Sequence, residues 1–297
     1  MQSNILRIIS LLTVVVTLSF FFTKEKVELP NGISANLPSS IHPAPSPEIE
    51  IQAKAGCVFD MNKNKFIFEH NTNVQLPLAS LTKLMTAIVA KEKLLESTVI
   101  QIPAEAIAQE GDSGFVVEEK WKLSDLLKVM LISSSNDAAF AIGSAFQKAN
   151  STENKNGEFI KLMNEKAKEL NLHQTYFLNT SGLDLSKTVA GAYGSCRDIT
   201  SLINYFLLVY PDLANITTSE SINIKNLEFK NTDQLLNKLP SFFASKTGFS
   251  DLAGGNLSVI IDKGLNNPII ITVLGSTQEG RFEDVEKLYK KFTNSTF

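Results

Sequence analysis

One short segment combines two residue types that can do chemistry together. The run LASLTKLMTA, residues 78–87, has apolar residues at helical spacing and carries Ser80 and Lys83. Residues three apart lie on the same face of a helix, so these two side chains are predicted to be neighbours. A serine hydroxyl becomes a strong nucleophile when a base removes its proton. A lysine amine can act as that base if burial or a nearby cation lowers its pKa towards neutrality.

Two further polar motifs lie later in the chain. The first is SSSN, residues 133–136, which contains Ser134 and Asn136 between two apolar segments. One of its residues could simply cap the next helix, but capping does not explain four polar residues in succession. The second is ASKTGFS, in which Lys246 and Thr247 could present a cation and a hydroxyl to an anion. The glycine that follows them allows a substrate or another backbone to come close.

The composition is that of a folded protein with a slightly acidic balance. Hydrophobic residues make up 43% of the 297 residues, enough for a core, and the formal net charge is −3. A nucleic-acid partner is not expected, because binding phosphates requires a basic face. The two cysteines, Cys57 and Cys196, form no CxxC motif or Cys/His cluster, so we expect no metal and no cofactor. They could form one disulfide in an oxidising compartment, but two buried free thiols are the favoured interpretation.

The N-terminal residues predict export and a tether. Residues 8–22 form an uncharged apolar run after Arg7, which is the length of a secretory signal or a short membrane anchor. Its end lacks the small residues that mark a cleavage site, and this favours an uncleaved anchor. We therefore predict a signal anchor or signal peptide at 1–23, a proline-rich linker at 24–47 and a folded domain at 48–297. The domain is expected outside the cytoplasm, attached to the membrane through the N-terminal segment.

The order of the predicted elements indicates an α/β fold of the α+β type. A predicted β-hairpin, AGCVFD and FIFEH, opens the domain, and amphipathic or buried helices occupy its middle. Strand patterns return from Ser221 onwards, and RFEDVEKLYKKF closes the chain as a helix. Strands at both ends with helices between them predict one sheet, built from both ends of the domain, with a helical insertion.

Taken in order, SxxK at Ser80, SxN at Ser134 and KTG at Lys246 resemble the signature of the penicillin-binding proteins. Among these, the chain resembles the low-molecular-mass D-alanyl-D-alanine carboxypeptidase family. The similarity extends to MNEKAKELNLHQTYFLNTSGLD, YGSCRDITSL and GRFEDVEKLY and covers residues 50–297. It implies the penicillin-binding, β-lactamase-like transpeptidase fold, which has an antiparallel sheet, flanking helices and a helical subdomain.

The resemblance also implies a reaction and a role for each motif residue. Ser80 would attack the carbonyl of a D-Ala-D-Ala stem peptide of peptidoglycan, and Lys83 would take the proton of its hydroxyl. Ser134 would relay a proton towards the leaving D-alanine. Lys246 would help to keep Lys83 neutral and would stabilise developing charge. β-Lactams mimic this substrate, so they are expected to be covalent inhibitors at Ser80.

The substrate-binding residues follow from the same resemblance. Asn136 would hydrogen-bond the peptide amide, and Thr247 and Arg281 would hold the terminal carboxylate. The backbone N–H groups of Ser80 and Phe249 would form the oxyanion hole. Arg281 is assigned only by its position after KTG, and a surface arginine at a helix start is the alternative interpretation.

Two residues depart from the family pattern. Ser250 stands where threonine is frequent, and Asn256 stands where an apolar residue or cysteine is commoner. Both are expected to affect fine specificity rather than the chemistry.

Other functions share some of these features. The same motifs fit a D,D-endopeptidase that cleaves peptidoglycan cross-links. A class A β-lactamase would need a Glu-x-x-Leu-Asn element, but Ala167 stands where its glutamate belongs. A Ser-His-Asp hydrolase is disfavoured because His42, His70 and His173 lie in no motif. The non-enzymatic alternative is a peptidoglycan-binding module without turnover, in which Ser80 would not react with penicillin.

Overall fold

The computed structural model of the protein describes residues 49–146 and 156–293. Its strands are β1 (Ala55–Asp60), β2 (Lys65–His70), β3 (Leu76–Pro77), β4 (Val99–Gln101), β5 (Lys120–Lys122), β6 (Tyr176–Phe177), β7 (Ala192–Gly194), β8 (Ser221–Ile224), β9 (Leu227–Lys230), β10 (Phe242–Ser250), β11 (Gly254–Asp262) and β12 (Pro268–Ser276). Its helices are α1 (Thr82–Lys93), α2 (Ala104–Ile107), α3 (Leu123–Ile132), α4 (Asn136–Ser144), α5 (Gly157–Glu169), α6 (Cys196–Val209), α7 (Pro211–Ile216) and α8 (Gly280–Thr293).

The central sheet joins the two ends of the described chain. Its strand order is β10-β11-β12-β1-β2, and every neighbouring pair is antiparallel. Strand β12 lies in the middle, and its run Ile269–Leu274 is completely buried because both faces of the sheet are covered. Strand β10 is an edge of the sheet, so part of its backbone is free of strand pairing and can face the cleft beside it.

Helices cover the two faces of the sheet. On one face, α6 packs on the central strands, and its buried Ile199 and Ile203 belong to the same apolar core as Ile260 of β11. On the other face, α8 packs on β11 and β12 through Phe282 and Val285. Successive side chains along a strand point to opposite faces of the sheet, so the two cores form on its two sides.

Helix α1 is the axis of the helical part. Its residues Thr82–Ala90 are all buried, and α3, α4, α5 and α6 pack around it. A helix that is enclosed on all sides carries apolar residues around its whole circumference, as LMTAIVA does here. Lys83 lies in its first turn and is therefore buried with it.

The predicted fold class is confirmed, and the five-stranded antiparallel sheet is built from both ends of the domain with a helical insertion between them. The prediction of a single sheet was wrong, because the other described strands form three small sheets, β3-β7-β6, β4-β5 and β8-β9. The predicted anchor at 1–23 and linker at 24–47 lie outside the described residues. The described residues from Ile49 onwards form one compact unit. Within the described ranges, none of the helices has the length and apolar composition needed to cross a membrane.

The preference for two free thiols was wrong. Cys57 on β1 and Cys196 at the start of α6 form a disulfide, with their Cα atoms 6.4 Å apart. This separation lies within the usual range for a disulfide. The two residues are 139 positions apart in the chain, so only the packing of α6 across β1 brings them together. Spacing in the sequence carries no sign of that packing.

Removing this disulfide is expected to lower stability without altering the active-site residues. The bond closes a loop of 139 residues, and such a constraint typically contributes about 2–4 kcal/mol by restricting the unfolded chain. The variant Cys57→Ala/Cys196→Ala should therefore lose about 2–4 kcal/mol of unfolding free energy in urea titrations. Oxidised wild-type protein is the reference. Equal unfolding midpoints for the two proteins would show that the disulfide does not stabilise the fold.

Candidate active site

Ser80 lies in a short 3-10 turn, Ala79–Leu81, directly before helix α1. Two hydrogen bonds fix this part of the chain. The Thr82 hydroxyl donates to the carbonyl oxygen of the first residue of the turn at 2.7 Å. The side-chain amide of Asn256 donates to the carbonyl oxygen of Pro77 at 3.0 Å. Asn256, which departs from the family pattern, is fully buried on β11 and ties the segment before the turn to the sheet.

A second loop packs directly against this turn. Gly182 has a φ of 84°, and a Cβ atom at this position would lie 1.9 Å from the carbonyl oxygen of Ala79. Glycine is required here, because it has no Cβ and adopts positive φ at little cost. The close approach carries the backbone of Ser181 into the site, where its carbonyl oxygen accepts a hydrogen bond from Lys83.

Lys83 is completely buried, and its amine is surrounded by oxygen atoms. Its Nζ atom lies 2.7 Å from Ser80 Oγ, 2.8 Å from Asn136 Oδ1 and 2.7 Å from the carbonyl oxygen of Ser181. The amide and carbonyl oxygens can only accept, whereas the serine hydroxyl can also donate. A neutral amine satisfies all three neighbours, because it donates two hydrogens and accepts the one from Ser80.

The surroundings favour this neutral form. Burial lowers the pKa of Lys83 well below its usual value, since charge is costly away from water. The nearby cation of Lys246 lowers this pKa further, whereas the carboxylate of Asp137 opposes the shift. Lys83 therefore has the geometry and the electrostatics of a base for the Ser80 hydroxyl.

Ser134 lies at the junction of α3 and α4, in a conformation that is uncommon for serine. Its φ is 59°, in the left-handed region. The next residue, Ser135, caps α4 by accepting a hydrogen bond from the N–H of Ala138, so capping accounts for one serine of the SSSN run. Ser134 Oγ instead accepts a hydrogen bond from Lys246 Nζ at 2.9 Å. The SxN and KTG motifs thus meet across the cleft.

Lys246 is as deeply buried as Lys83 but has different neighbours. Besides Ser134, its Nζ atom donates to the carbonyl oxygen of Thr247 at 2.9 Å. Burial is the largest influence on Lys246, and together with the charge of Arg281 it lowers the pKa of this lysine to about 7. The carboxylate of Asp233 acts in the opposite direction and favours the protonated form.

The predicted substrate-binding side chains line the same site. Asn136 Oδ1 accepts from Lys83, and its Nδ2 donates to the carbonyl oxygen of Glu110 at 2.7 Å. The hydroxyl of Thr247 is hydrogen-bonded to that of Thr232.

Arg281 is buried at the start of α8 rather than exposed on the surface. Its Nη1 atom donates to the carbonyl oxygen of Gly248 at 2.7 Å. Its buried Nε–H has no hydrogen-bond partner among the described residues. The interpretation as a surface arginine is therefore wrong, and the guanidinium lies against the strand that carries the KTG motif.

The predicted oxyanion-hole residues are brought close together by Gly248. A Cβ atom at this position would lie 2.9 Å from the carbonyl oxygen of Leu78 and 3.2 Å from the backbone nitrogen of Ser80. Strand β10 therefore touches the Ser80 turn through a residue without a side chain. Phe249 follows directly, so its backbone and that of Ser80 lie at the same end of the cleft.

Several residues of the site were not predicted from the sequence. They are the carbonyl of Ser181, the hydroxyl of Thr232 and the carboxylates of Asp137 and Asp233. Ser181 lies in the segment LNTSGLD, whose similarity to the family assigns no role to an individual residue. Thr232 and Asp233 had no spacing signal, because they reach the motif residues only through the fold. Asp137 directly follows Asn136, but only the fold brings it near Lys83.

Comparison with known proteins identifies the family. A family model described as D-alanyl-D-alanine carboxypeptidase matches residues 41–278. The chain belongs to this family. The resemblance inferred from the three motifs is thereby confirmed, and with it the penicillin-binding fold.

Curated proteins with two different activities in their names are similar to this chain. D-alanyl-D-alanine carboxypeptidase DacF of Bacillus subtilis is 30% identical over 252 residues, which are 81% of this chain and 62% of the relative. The chain thus spans about three fifths of the length of that protein. A D-alanyl-D-alanine endopeptidase of Pseudomonas aeruginosa is 28% identical over 241 residues, covering 75% of this chain and 73% of the relative.

The fold also matches a solved member with a bound antibiotic. Penicillin-binding protein D2 of Listeria monocytogenes, in its cefotaxime-bound form, is 26% identical with a TM-score of 0.70. The match covers 82% of this chain and 98% of that structure.

Replacing Lys246 is expected to raise the pKa of Lys83. The Lys246 ammonium repels a charge on Lys83, so the variant Lys246→Met should make protonation of Lys83 easier. The measurement is an NMR titration of protein labelled with 13C in the lysine side chains. Lys230→Met is the matched control, because the Lys230 side chain is 77% exposed and pairs with Glu228. An unchanged or lower pKa of Lys83 in Lys246→Met would contradict the proposed coupling.

Proposed function

We propose that this protein is a serine-type D-Ala-D-Ala carboxypeptidase that removes the terminal D-alanine from peptidoglycan stem pentapeptides. The observation that carries the proposal is the buried Lys83 amine, 2.7 Å from Ser80 Oγ, in a site that favours its neutral form. A neutral amine at this distance is a general base for the hydroxyl. Family membership supplies the substrate class.

The first step is acylation of Ser80. The Ser80 oxygen attacks the carbonyl carbon of the penultimate D-alanine, and its proton passes to Lys83. The carbonyl oxygen becomes an oxyanion, for which the backbone N–H groups of Ser80 and Phe249 are the proposed donors. Losing one such donor typically costs a factor of about 100 to 1000 in rate.

The second step releases the terminal D-alanine. The C–N bond breaks, and the leaving amine needs a proton as it departs. Ser134 delivers this proton and takes in its place the one that Lys83 received from Ser80, so that Lys83 is neutral again. The Lys246 ammonium supports the transfer through its hydrogen bond of 2.9 Å to Ser134 Oγ. The product of this step is an ester between the peptide and Ser80. Asn136 is the proposed partner of the peptide amide.

The terminal carboxylate is bound at the end of β10. Thr247 presents its hydroxyl there, and the guanidinium of Arg281 lies behind the strand, held by the carbonyl oxygen of Gly248. A carboxylate that approaches two buried cations, Lys246 and Arg281, gains a strong electrostatic attraction. This requirement selects peptides that end in a free carboxylate.

Water completes the reaction by hydrolysing the ester. A water molecule gives a proton to Lys83 and attacks the ester carbonyl. The bond to Ser80 Oγ then breaks, and Ser80 takes the proton from Lys83, 2.7 Å away. A class A β-lactamase uses a glutamate for this step. Ala167, which stands at the corresponding position on α5, is buried in the apolar core and offers no carboxylate. Rapid release of a penicilloyl group is therefore not expected, and β-lactams should remain on Ser80 as covalent inhibitors. The cefotaxime-bound relative from Listeria monocytogenes supports this expectation.

Peptidoglycan lies outside the cytoplasmic membrane, so the proposed substrate requires export of the protein. The apolar segment within residues 1–23 is the proposed signal anchor or signal peptide, and residues 24–47 are the proposed linker to the membrane.

An endopeptidase that cleaves cross-links between stem peptides is the second candidate. The similarity to the D-alanyl-D-alanine endopeptidase of Pseudomonas aeruginosa favours this candidate, since the match covers 73% of that protein. A cleft of about 460 Å³ adjoins Ser134 and Asn136 and is bounded on its far side by Leu227 and Phe229. This volume is in the range of sites that bind small organic ligands, so it has room for more than a single D-alanine.

The variant Lys83→Met is expected to abolish acylation of Ser80 while keeping the fold. Methionine fills a similar volume but cannot accept a proton, and general-base catalysis typically contributes about 100- to 10,000-fold in rate. Labelling by fluorescent penicillin should therefore fall at least about 100-fold. Lys91→Met, on the same helix, is the matched control and should label normally. Circular dichroism would verify folding, and normal labelling of Lys83→Met would refute the role of Lys83.

The products distinguish the candidate functions. Purified protein would be incubated with a mixture of monomeric pentapeptides and cross-linked muropeptides and the masses recorded, with Ser80→Ala as control. Loss of one D-alanine from the monomer indicates the carboxypeptidase, and conversion of dimers to monomers indicates the endopeptidase. If neither product forms and penicillin does not label Ser80, the protein is a binding module without turnover.

A further inference from the structure

A buried carboxylate that has no role in the proposed reaction lies behind the KTG strand. Asp233 is 6% exposed and follows β9 in the connection to β10. Its carboxylate accepts hydrogen bonds from the hydroxyl of Ser245 and, at 2.8 Å, from the backbone N–H of Leu235. Ser245 directly precedes Lys246 on β10, so the carboxylate is attached to the strand beside the KTG motif.

The residue before Asp233 reaches into the site itself. The Thr232 hydroxyl is hydrogen-bonded to that of Thr247, the proposed carboxylate ligand. The backbone N–H of Thr232 donates to the carbonyl oxygen of Ile132, the last residue of α3. The side chain of Asn231 accepts from the N–H of Asp233 at 2.9 Å. The segment 231–233 is thus fixed on both sides, and Asp233 is its attachment to β10.

The charges around β10 give this carboxylate a second effect. Lys246 and Arg281 are both buried, and burying a cation without a countercharge is costly. The Asp233 carboxylate raises the pKa of Lys246, against burial and the repulsion from Arg281. Lys246 in turn repels charge on Lys83, and Asp137 acts on Lys83 in the opposite direction.

Other charges near Lys246 have different partners. Lys83 is hydrogen-bonded to Ser80, Asn136 and Ser181, and its neutral form carries no charge. Asp137 accepts from the N–H of Ser113 on the far side of α4. Of the charged groups that act on Lys246, Asp233 is the one that favours its protonated form. Burial raises the pKa of Asp233 itself, and the hydrogen bonds from Ser245 and Leu235 and the charges of Arg281 and Lys246 act against this rise.

We propose that Asp233 is a positioning residue whose carboxylate keeps the Lys246 ammonium charged and holds the segment that places the Thr232 hydroxyl against Thr247. It touches neither the reacting atoms nor the substrate and acts through these two residues. The inference rests on the proposed function, in which Lys246 works as a cation. Each buried lysine has one cation and one carboxylate acting on it, Lys246 and Asp137 on Lys83, and Arg281 and Asp233 on Lys246.

The decisive variant is Asp233→Asn in the full chain. The amide has the same shape and can still accept from the N–H of Leu235, but it carries no charge. The rate of Ser80 labelling by fluorescent penicillin would be measured from pH 5 to pH 9. In the wild type, the rate should fall as Lys246 loses its proton, at a pKa of about 7. In Asp233→Asn this fall should begin roughly one pH unit lower, because the charge that favours protonation is gone.

Asp184→Asn is the matched control. Asp184 also accepts one hydroxyl and one backbone N–H, from Ser250 and Leu252, and it too is attached to β10. The same substitution there tests the loss of such a contact without removing the charge that acts on Lys246. Its pH profile should keep the wild-type position. In Asp233→Glu, which retains the charge, the labelling rate should also fall close to the wild-type pH.

A structural role alone predicts a different result. If Asp233→Asn lowers the rate by the same factor at every pH, or has the wild-type profile, the inference is overturned while the proposed function stands. If wild-type protein is not labelled at all, the proposed function fails and the inference fails with it.

If Asp233→Asn does not fold, two measurements remain. Thr232→Val should weaken binding of the penicillin before acylation and leave the pH profile in place. An NMR titration of Lys246 in Asp233→Glu should find the wild-type pKa. A shifted profile in Thr232→Val, or a lowered pKa of Lys246 in Asp233→Glu, would contradict the proposal.

Discussion

The burial of the Lys83 amine is the constraint on which the rest of the site depends. An amine without water needs acceptors from the protein, and here they come from three separate parts of the chain: the Ser80 turn, the start of α4 and the loop at Ser181. These parts must converge within hydrogen-bonding distance, or the buried group is left unsatisfied at a cost of about 1–3 kcal/mol. The glycine at 182 is needed for the same reason, since any side chain there would separate the loop from the turn.

The architecture of the domain follows from this convergence. Helix α1 enters the core with Lys83 in its first turn, and its start is tied to the sheet by Asn256 of β11. Strand β10, at the sheet edge, closes the other side of the cleft and carries Lys246 against Ser134. Because the sheet is built from both ends of the domain, the helical insertion and the KTG strand face each other across one cleft. The disulfide between β1 and α6 fastens the sheet to the layer beneath this cleft.

The sequence predicted the features that depend on local pattern or on motif identity. The sheet and its helical insertion could be predicted because β11 and β12 are apolar runs and α1 has helical spacing, and each pattern reports its own element. The motif residues could be predicted because their side-chain types are those that the chemistry needs, and the structure brings them together. Ser181 acts through a backbone carbonyl, which any residue possesses, so its identity carried no signal. Thr232 and Asp233 follow the β8–β9 hairpin, where polar residues are typical of an ordinary turn. Their contacts with the site form only when β9 and β10 are in place.

The two lysines show how one residue type can hold two protonation states in one site. Burial alone would push both amines towards neutrality, and mutual repulsion would add to the same tendency. The difference must therefore come from their other neighbours. Lys83 lies between two obligate acceptors and a hydroxyl, an arrangement that a neutral amine satisfies completely. Lys246 donates instead to the Ser134 hydroxyl and to the carbonyl oxygen of Thr247, and the carboxylate of Asp233 behind its strand opposes Arg281 and favours the charged form. The two roles proposed for one side chain thus depend on different hydrogen-bond partners and, for Lys246, on the carboxylate proposed to act from the far side of β10.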